Sequence, residues 1–144
     1  MPLNVLAIDH VSFTVGEIER STAFYERFGF EPVKRYISAG PEVDEGADTE
    51  RGDMDIQWLS HPAGGVGLEL IRYLNYPAAP APHNSNVGAA HICLSIDDVY
   101  GAHAELVADG ITFLSEPHED EFGVRWVYCR DPDGNAVELV QNPG

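Results

Sequence analysis

The stretches AIDHVSFTV (residues 7–15) and GAAHICLSI (residues 88–96) decide the fold, because each places a histidine at the head of an alternating strand. Sliding the chain against itself by 81 residues aligns His10 with His91 and Gly29 with Gly110. Between the aligned histidine and glycine, each copy has a stretch with helical periodicity, IERSTAFYERFGF in the first and DVYGAHAELVADGI in the second. A strand, a helix and a glycine suited to a left-handed C-terminal cap therefore occur twice.

Three further strands are predicted in each copy. They cover residues 31–38, 54–60 and 66–74 in the first copy, and residues 111–115, 124–130 and 136–141 in the second. Each copy is thus a βαβββ module, and the predicted boundaries are about 5–76 for module 1 and about 87–142 for module 2. The segment NYPAAPAPHNSNVG (75–88) is predicted to be an extended linker, and the acidic segment 39–53 a long loop. The prediction is one α+β domain spanning residues 1–144.

Charge and cysteine usage exclude several classes of function. The chain has 24 acidic and 8 basic residues, a formal charge of -16, so it should repel nucleic acid and anionic membrane surfaces. Cys93 and Cys129 have no CxxC spacing and are interpreted as reduced core thiols, with a single disulfide as the alternative. The start of the sequence has no basic region followed by a long apolar run, so a cytoplasmic location is expected.

Alternation places four polar side chains away from the helix-packed side of the sheets. Successive strand residues point to opposite faces, so His10 and His91 oppose their apolar neighbours. Glu69, between Leu68 and Leu70, and Glu138, between Val137 and Leu139, do the same. Curved sheets with the helices outside would bring these four side chains together in a cavity. Enclosed carboxylates need a cation between them, and two histidines with two glutamates suit a divalent metal.

Ordinary structural roles are the alternative for each of these residues. A single strand histidine is more often a hydrogen-bonded core or edge residue, and a glutamate between apolar residues is often the exposed half of an alternation. The duplication of the pair favours the metal hypothesis. Four aromatic residues are candidates for a pocket lining, with core or interface packing the more common role: Trp58, Trp126, Tyr36 and Phe122. The remaining histidines are interpreted as surface residues without a role: His61, His83, His103 and His118.

The segments IDHVSFTV, ERSTAFYERFGF, GAAHICLSIDDV and DPDGNAVELVQ together resemble the vicinal oxygen chelate superfamily, which contains glyoxalase I, bleomycin resistance proteins and extradiol dioxygenases. The resemblance spans nearly the whole chain. It implies two βαβββ modules forming curved mixed sheets around a metal-binding cavity. It also implies one divalent metal per site (Zn, Ni, Co, Fe or Mn), bound by His10, Glu69, His91 and Glu138. Small members are similar in forming homodimers whose sites draw residues from both chains, although the modules could instead pair within one chain.

Within this resemblance, the presence of all four ligands implies a glyoxalase I-like lyase, isomerase or epimerase. Such a site moves a proton through a metal-chelated enolate of a small oxygenated metabolite, with Glu138 or Glu69 as the base. Thr14 and Tyr73 stand where glutathione-using members have Arg and Asn, so glutathione dependence is not expected. Two alternatives stay open: an Fe(II)-dependent extradiol-type dioxygenase, and a bleomycin resistance-like protein that binds a small molecule without turnover.

Overall fold

The computed structural model describes all 144 residues, which divide into two compact units, Met1–Ala79 (unit 1) and Pro80–Gly144 (unit 2). The elements of unit 1 are β1 (His10–Thr14), α1 (Ile18–Glu26), β2 (Glu31–Ser38), α2 (Pro41–Gly46), β3 (Met54–Ser60) and β4 (Gly67–Tyr73). Those of unit 2 are β5 (His91–Ser95), α3 (Val99–Ala108), β6 (His118–Glu119), β7 (Arg125–Arg130) and β8 (Ala136–Gln141).

Both units contain a four-stranded mixed sheet with the same strand order. Unit 1 has the order β1-β4-β3-β2, and unit 2 has the order β5-β8-β7-β6. In each sheet the histidine strand lies at an edge, parallel to the last strand, while the other neighbours are antiparallel. The α+β fold class predicted from the repeat is therefore confirmed.

The cores of the two units use different side chains. In unit 1, Tyr25 of α1 is fully buried and contacts the rings of Phe13, Phe24 and Phe30. In unit 2 the core is mainly aliphatic, and its fully buried residues include Val99, Val127, Val137 and Leu139. Burying a large apolar side chain stabilises a fold by roughly 1.5–3 kcal/mol, so either composition can hold a helix against a sheet. This packing also fixes which strand residues face away from the helix.

Both main helices end as the sequence predicts. Gly29 and Gly110 have positive φ angles of 86° and 85°, a conformation that favours glycine. Beyond them, the Phe30 amide donates to the Tyr25 carbonyl at 3.3 Å, and the Ile111 amide donates to the Leu106 carbonyl at 3.0 Å. These bonds satisfy carbonyls that the helix end would otherwise leave unpaired, as in a Schellman cap.

Two predicted segments differ in the structure. The predicted loop 39–53 contains the short helix α2, which begins at Pro41, where the missing amide proton costs no helical bond. The predicted strand 111–115 forms only an isolated bridge, Phe113 to Cys129, and regular pairing resumes at β6. Between the two segments the chain advances five residues, from Phe113 to His118, while the partner strand advances three, from Cys129 to Trp126, so the two extra residues leave the ladder in a bend that contains Pro117.

The first nine residues form no helix or strand and expose several apolar side chains, among them Leu3, Val5, Leu6 and Ile8. No helix in this chain combines the length and apolar character that a membrane crossing requires.

Candidate metal site

In unit 1, parallel pairing of β1 with β4 brings His10 and Glu69 together. The register matches His10 with Gly67 and Ser12 with Glu69. Residues directly opposite in a sheet project to the same face, so all of these lie on one side. Leu68 and Leu70 are buried on the other side. His10 Nε2 lies 3.7 Å from Glu69 Oε1, and Glu69 is only 8% exposed.

The ring of His10 is oriented by the preceding residue. His10 Nδ1 lies 2.7 Å from Asp9 Oδ1, a distance at which Nδ1–H donates to the carboxylate. This bond leaves Nε2 free to act as a ligand on the side of Glu69. Carboxylates commonly fix the tautomer of metal-binding histidines in this way.

Unit 2 repeats the pair at the same register. His91 lies opposite Ala136, and Cys93 lies opposite Glu138, while Val137 is buried on the other face. His91 Nε2 is 3.1 Å from Glu138 Oε2. Each unit thus brings one predicted histidine and one predicted glutamate together on the sheet face away from its helix. No group of three or more His, Cys, Asp or Glu side chains in this chain is arranged to hold a metal ion.

An aromatic residue flanks each pair, and its identity differs between the units. Trp58 on β3 lies opposite Glu69, and Tyr128 on β7 lies opposite Glu138. The Trp58 ring meets His10 edge-on with centroids 4.7 Å apart, and the Tyr128 ring meets His91 in the same way at 5.1 Å. The two aromatic residues are therefore structural equivalents in the repeat.

The Tyr128 hydroxyl makes polar contacts with both members of its pair. It donates to Glu138 Oε2 at 3.2 Å and lies 3.4 Å from His91 Nε2. Partial burial, together with the adjacent Glu138 carboxylate, raises the pKa of Tyr128, so the phenol keeps its proton at neutral pH. The indole nitrogen of Trp58 instead donates to the Tyr36 hydroxyl at 3.4 Å.

Both cysteines are free thiols. Burial raises the pKa of Cys129 to about 12, and Cys129 belongs to the core as the sequence predicts. Cys93 is exposed on the face of Glu138, so the prediction of a core thiol is wrong for this residue. Partial desolvation of its sulfur and the nearby Glu138 carboxylate nevertheless raise the pKa of Cys93 to about 11. A protonated thiol is a weak nucleophile and a weak ligand.

The other aromatic and histidine predictions have mixed outcomes. Trp58 contacts His10, and Tyr36 contacts Trp58. The ring centroids of Trp126 and Tyr128 are 6.0 Å apart. Phe122 is exposed in a turn. Two histidines interpreted as surface residues have structural roles. His61 contacts the Phe28 carbonyl at 3.0 Å, and the largely buried side chain of His103 packs on Phe113.

Sequence reasoning missed Asp9 and Tyr128. Asp9 directly precedes His10, but the equivalent residue before His91 is Ala90, so the repeat does not mark it. Trp58 lies 11 residues before Glu69 and Tyr128 lies 10 residues before Glu138, so comparing the strands before each glutamate could have paired them.

The duplicated βαβββ topology and the repeated His–Glu pair define a class of protein built from two such modules. A sequence model of the Glyoxalase/Bleomycin resistance protein/Dioxygenase superfamily matches residues 7–139, and the chain belongs to this superfamily.

Two relatives and one solved structure are similar to this chain. A 2-epi-5-epi-valiolone epimerase from Actinomyces sp. is 30% identical over 156 residues, covering 96% of this chain and 80% of that protein. Human mitochondrial methylmalonyl-CoA epimerase is 25% identical over 146 residues, covering 96% of this chain and 75% of that protein. The crystal structure of a glyoxalase family protein from Bacillus cereus has a TM-score of 0.87 at 21% identity, covering 99% of this chain and 97% of that one.

Proposed function

We propose that this protein is a divalent-metal-dependent isomerase or epimerase of the glyoxalase I-like type. It would move a proton at the carbon next to a carbonyl group of a small oxygenated metabolite. The observation that carries this proposal is the His–Glu pair, which occurs in both units at the same sheet register and on the face away from the helix. The two relatives named as epimerases support it.

The donor set fits a first-row divalent ion. His10, Glu69, His91 and Glu138 offer two imidazole nitrogens and two carboxylates, and each glutamate side chain is at least four-fifths shielded from water. A shielded carboxylate is costly without a positive partner, and a metal ion bound by both pairs supplies one. When bound, such an ion polarises a carbonyl oxygen and stabilises the negative charge that develops there. Zn, Ni, Co, Fe and Mn are all compatible with these ligands.

The carboxylate of Glu69 or of Glu138 is the proposed general base. A general base must lie within hydrogen-bonding reach of the proton that it removes, and both carboxylates share a face with the histidine beside which the substrate would bind.

A homodimer with shared sites is part of the proposal. The histidine strands β1 and β5 are edge strands, so each has one side open to a further contact. The exposed apolar side chains of residues 1–9 would also be covered by a partner. We propose that the first module of one chain pairs with the second module of its partner, and that each metal takes one His–Glu pair from each chain.

The substrate is proposed to be independent of glutathione. Thr14 and Tyr73 occupy the positions of the glutathione-contacting residues in the resemblance described above. Three arginines could have bound an anionic peptide, but their strand positions put them on the sheet faces opposite the His–Glu pairs. Arg35 donates to Asp55, and Arg125 donates to Glu119. Arg72 is paired with Asp55 across neighbouring strands.

The test is proton exchange in D2O. The protein, loaded in turn with each candidate metal, is incubated with a panel of α-hydroxyketones that includes a cyclic inosose, and deuterium uptake is followed by NMR. We expect metal-dependent exchange in the native protein and none in Glu69→Gln or Glu138→Gln. Glu26→Gln, a change of the same kind on the exposed face of α1, serves as the matched control and should exchange normally.

Three results would contradict the proposal. Exchange that persists in both glutamine variants would exclude these carboxylates as the base. Oxygen uptake with a catechol and ferrous iron, without proton exchange, would indicate a dioxygenase. Tight binding of a small molecule that needs none of the four side chains would indicate a binding protein.

A further inference from the structure

Tyr128 holds a position from which one hydroxyl group can act on two proposed ligands. Its hydroxyl donates to Glu138 Oε2 at 3.2 Å and approaches His91 Nε2 at 3.4 Å, while Nε2 itself lies 3.1 Å from the same carboxylate oxygen. The three groups form a closed triangle on neighbouring strands of one sheet.

The equivalent position in unit 1 has no hydroxyl group that contacts both the histidine and the glutamate. Trp58 lies opposite Glu69 as Tyr128 lies opposite Glu138, but the only hydrogen on an indole nitrogen is donated to Tyr36. Glu69 is also farther from its histidine, at 3.7 Å. The two glutamates therefore differ in how they are held, although their backbone positions are equivalent.

The Tyr128 phenol has one proton, so it can donate to only one of its two neighbours. Metal binding would decide which neighbour receives it. A histidine nitrogen that binds a metal has no lone pair left to accept a hydrogen bond, so the hydroxyl proton of Tyr128 then belongs to Glu138. A hydrogen bond to a charged carboxylate is among the stronger ones in proteins, and it restricts the rotamer of the glutamate. Partners of this kind around ligands contribute strongly to metal affinity.

We propose that Tyr128 is a positioning residue that anchors Glu138 as a fixed metal ligand, which leaves Glu69 as the carboxylate that exchanges the proton. This inference rests on the proposed function and assigns the two glutamates different roles within it. Tyr128 acts through Glu138 and needs no contact with the substrate.

The experiment measures Co²⁺ affinity by competition with a chromophoric chelator, using the full-length protein. Tyr128→Phe removes only the hydroxyl group, and we expect it to weaken Co²⁺ binding by about 10- to 100-fold. Tyr128→Trp, which installs the residue of unit 1, should weaken binding similarly. Tyr76→Phe is the matched control, because its hydroxyl accepts from the Glu50 and Arg51 amides and contacts no proposed ligand, and it should bind Co²⁺ as the native protein does.

The role of Glu69 is tested with the same assay and the D2O exchange measurement. Glu69→Gln should keep more Co²⁺ affinity than Glu138→Gln and should lose exchange even when saturated with metal. The melting temperature of each metal-free variant shows that the fold is retained.

The outcomes separate this inference from the proposed function. If the native protein binds no Co²⁺, both fail. If the native protein binds Co²⁺ and Tyr128→Phe binds it equally well, only the inference is overturned. A change confined to the KM of Tyr128→Phe would also overturn it, since the hydroxyl would then act on the substrate.

Discussion

Units 1 and 2 share a backbone plan but differ in the groups that hold their functional side chains. In unit 1, His10 is oriented by Asp9 and Glu69 lies beside an indole. In unit 2, Ala90 precedes the histidine and a phenol contacts both His91 and Glu138. Strand register sets where each proposed ligand lies, whereas a single neighbouring side chain sets which hydrogen bonds it makes. Two copies of one module can therefore take different roles in one reaction.

The two units also differ in the ion pairs at the sheet edge away from the His–Glu pairs. In unit 1, Arg35 on β2 donates two hydrogen bonds to the buried Asp55 on β3 and a third to Glu19. In unit 2, the corresponding edge of the sheet has the exposed pair of Arg125 and Glu119, and Arg125 also lies over the ring of Tyr100. The three variant pairs below compare the units directly.

The largest effect is expected from removing one ligand in each unit. His10→Gln and His91→Gln should each lower metal affinity by more than about 100-fold, because each removes a direct ligand and not merely a supporting contact. Isothermal titration with Zn²⁺ measures the change, and His83→Gln in the linker is the control. Normal affinity in either variant would show that the two pairs do not bind the same ion.

An intermediate effect is expected from the arginines. Arg35→Gln leaves the buried Asp55 without its charged donor and should lower the free energy of unfolding by about 1–3 kcal/mol. Arg125→Gln removes an exposed pair and should cost less than about 1 kcal/mol. Urea denaturation of the two variants measures both values. Equal losses of unfolding free energy in the two variants would show that the Arg35 and Arg125 ion pairs contribute equally to stability.

The effect of Arg35→Gln should also depend on pH. Hydrogen bonds from Arg35 hold the pKa of Asp55 below its ordinary value. A carboxyl whose pKa is lower in the folded state contributes stability above its unfolded pKa, about 3.9, and loses it as the pH falls through the folded value. The stability difference between native protein and variant should therefore be full at pH 7 and shrink below about pH 4. A difference that stays constant between pH 7 and pH 3 would contradict the role of the Asp55 charge.

The smallest effect is expected at the helix starts. Asp98 caps α3 by accepting a hydrogen bond from the Gly101 amide at 3.0 Å, whereas Glu17 at the start of α1 makes no side-chain cap bond. Asp98→Ala should cost about 1 kcal/mol and Glu17→Ala only a small fraction of that. Thermal denaturation compares the two, and a larger loss from Glu17→Ala would refute this explanation.

The repeat accounts for most of what the sequence could predict. The alignment of His10 with His91 and of Gly29 with Gly110 indicated both edge strands, both helices and both caps, because these depend on local periodicity and backbone conformation. In the predicted strand 111–115 only Phe113 forms a bridge, because apolar residues favour a strand whereas the pairing register, which shifts by two residues before His118, leaves no trace in periodicity. Tyr128 could not be found from periodicity, because its importance comes from the groups on two neighbouring strands and not from its own sequence context.

The two His–Glu pairs are proposed to bind one divalent ion together. Anomalous diffraction at the zinc absorption edge, from crystals grown with Zn²⁺, tests this most directly. We expect one peak per site, with the Nε2 atoms of His10 and His91 at about 2.0–2.1 Å and a carboxylate oxygen of Glu138 at about 2.0–2.2 Å. A peak that contacts only one pair, or zinc bound elsewhere while both pairs stay empty, would contradict it.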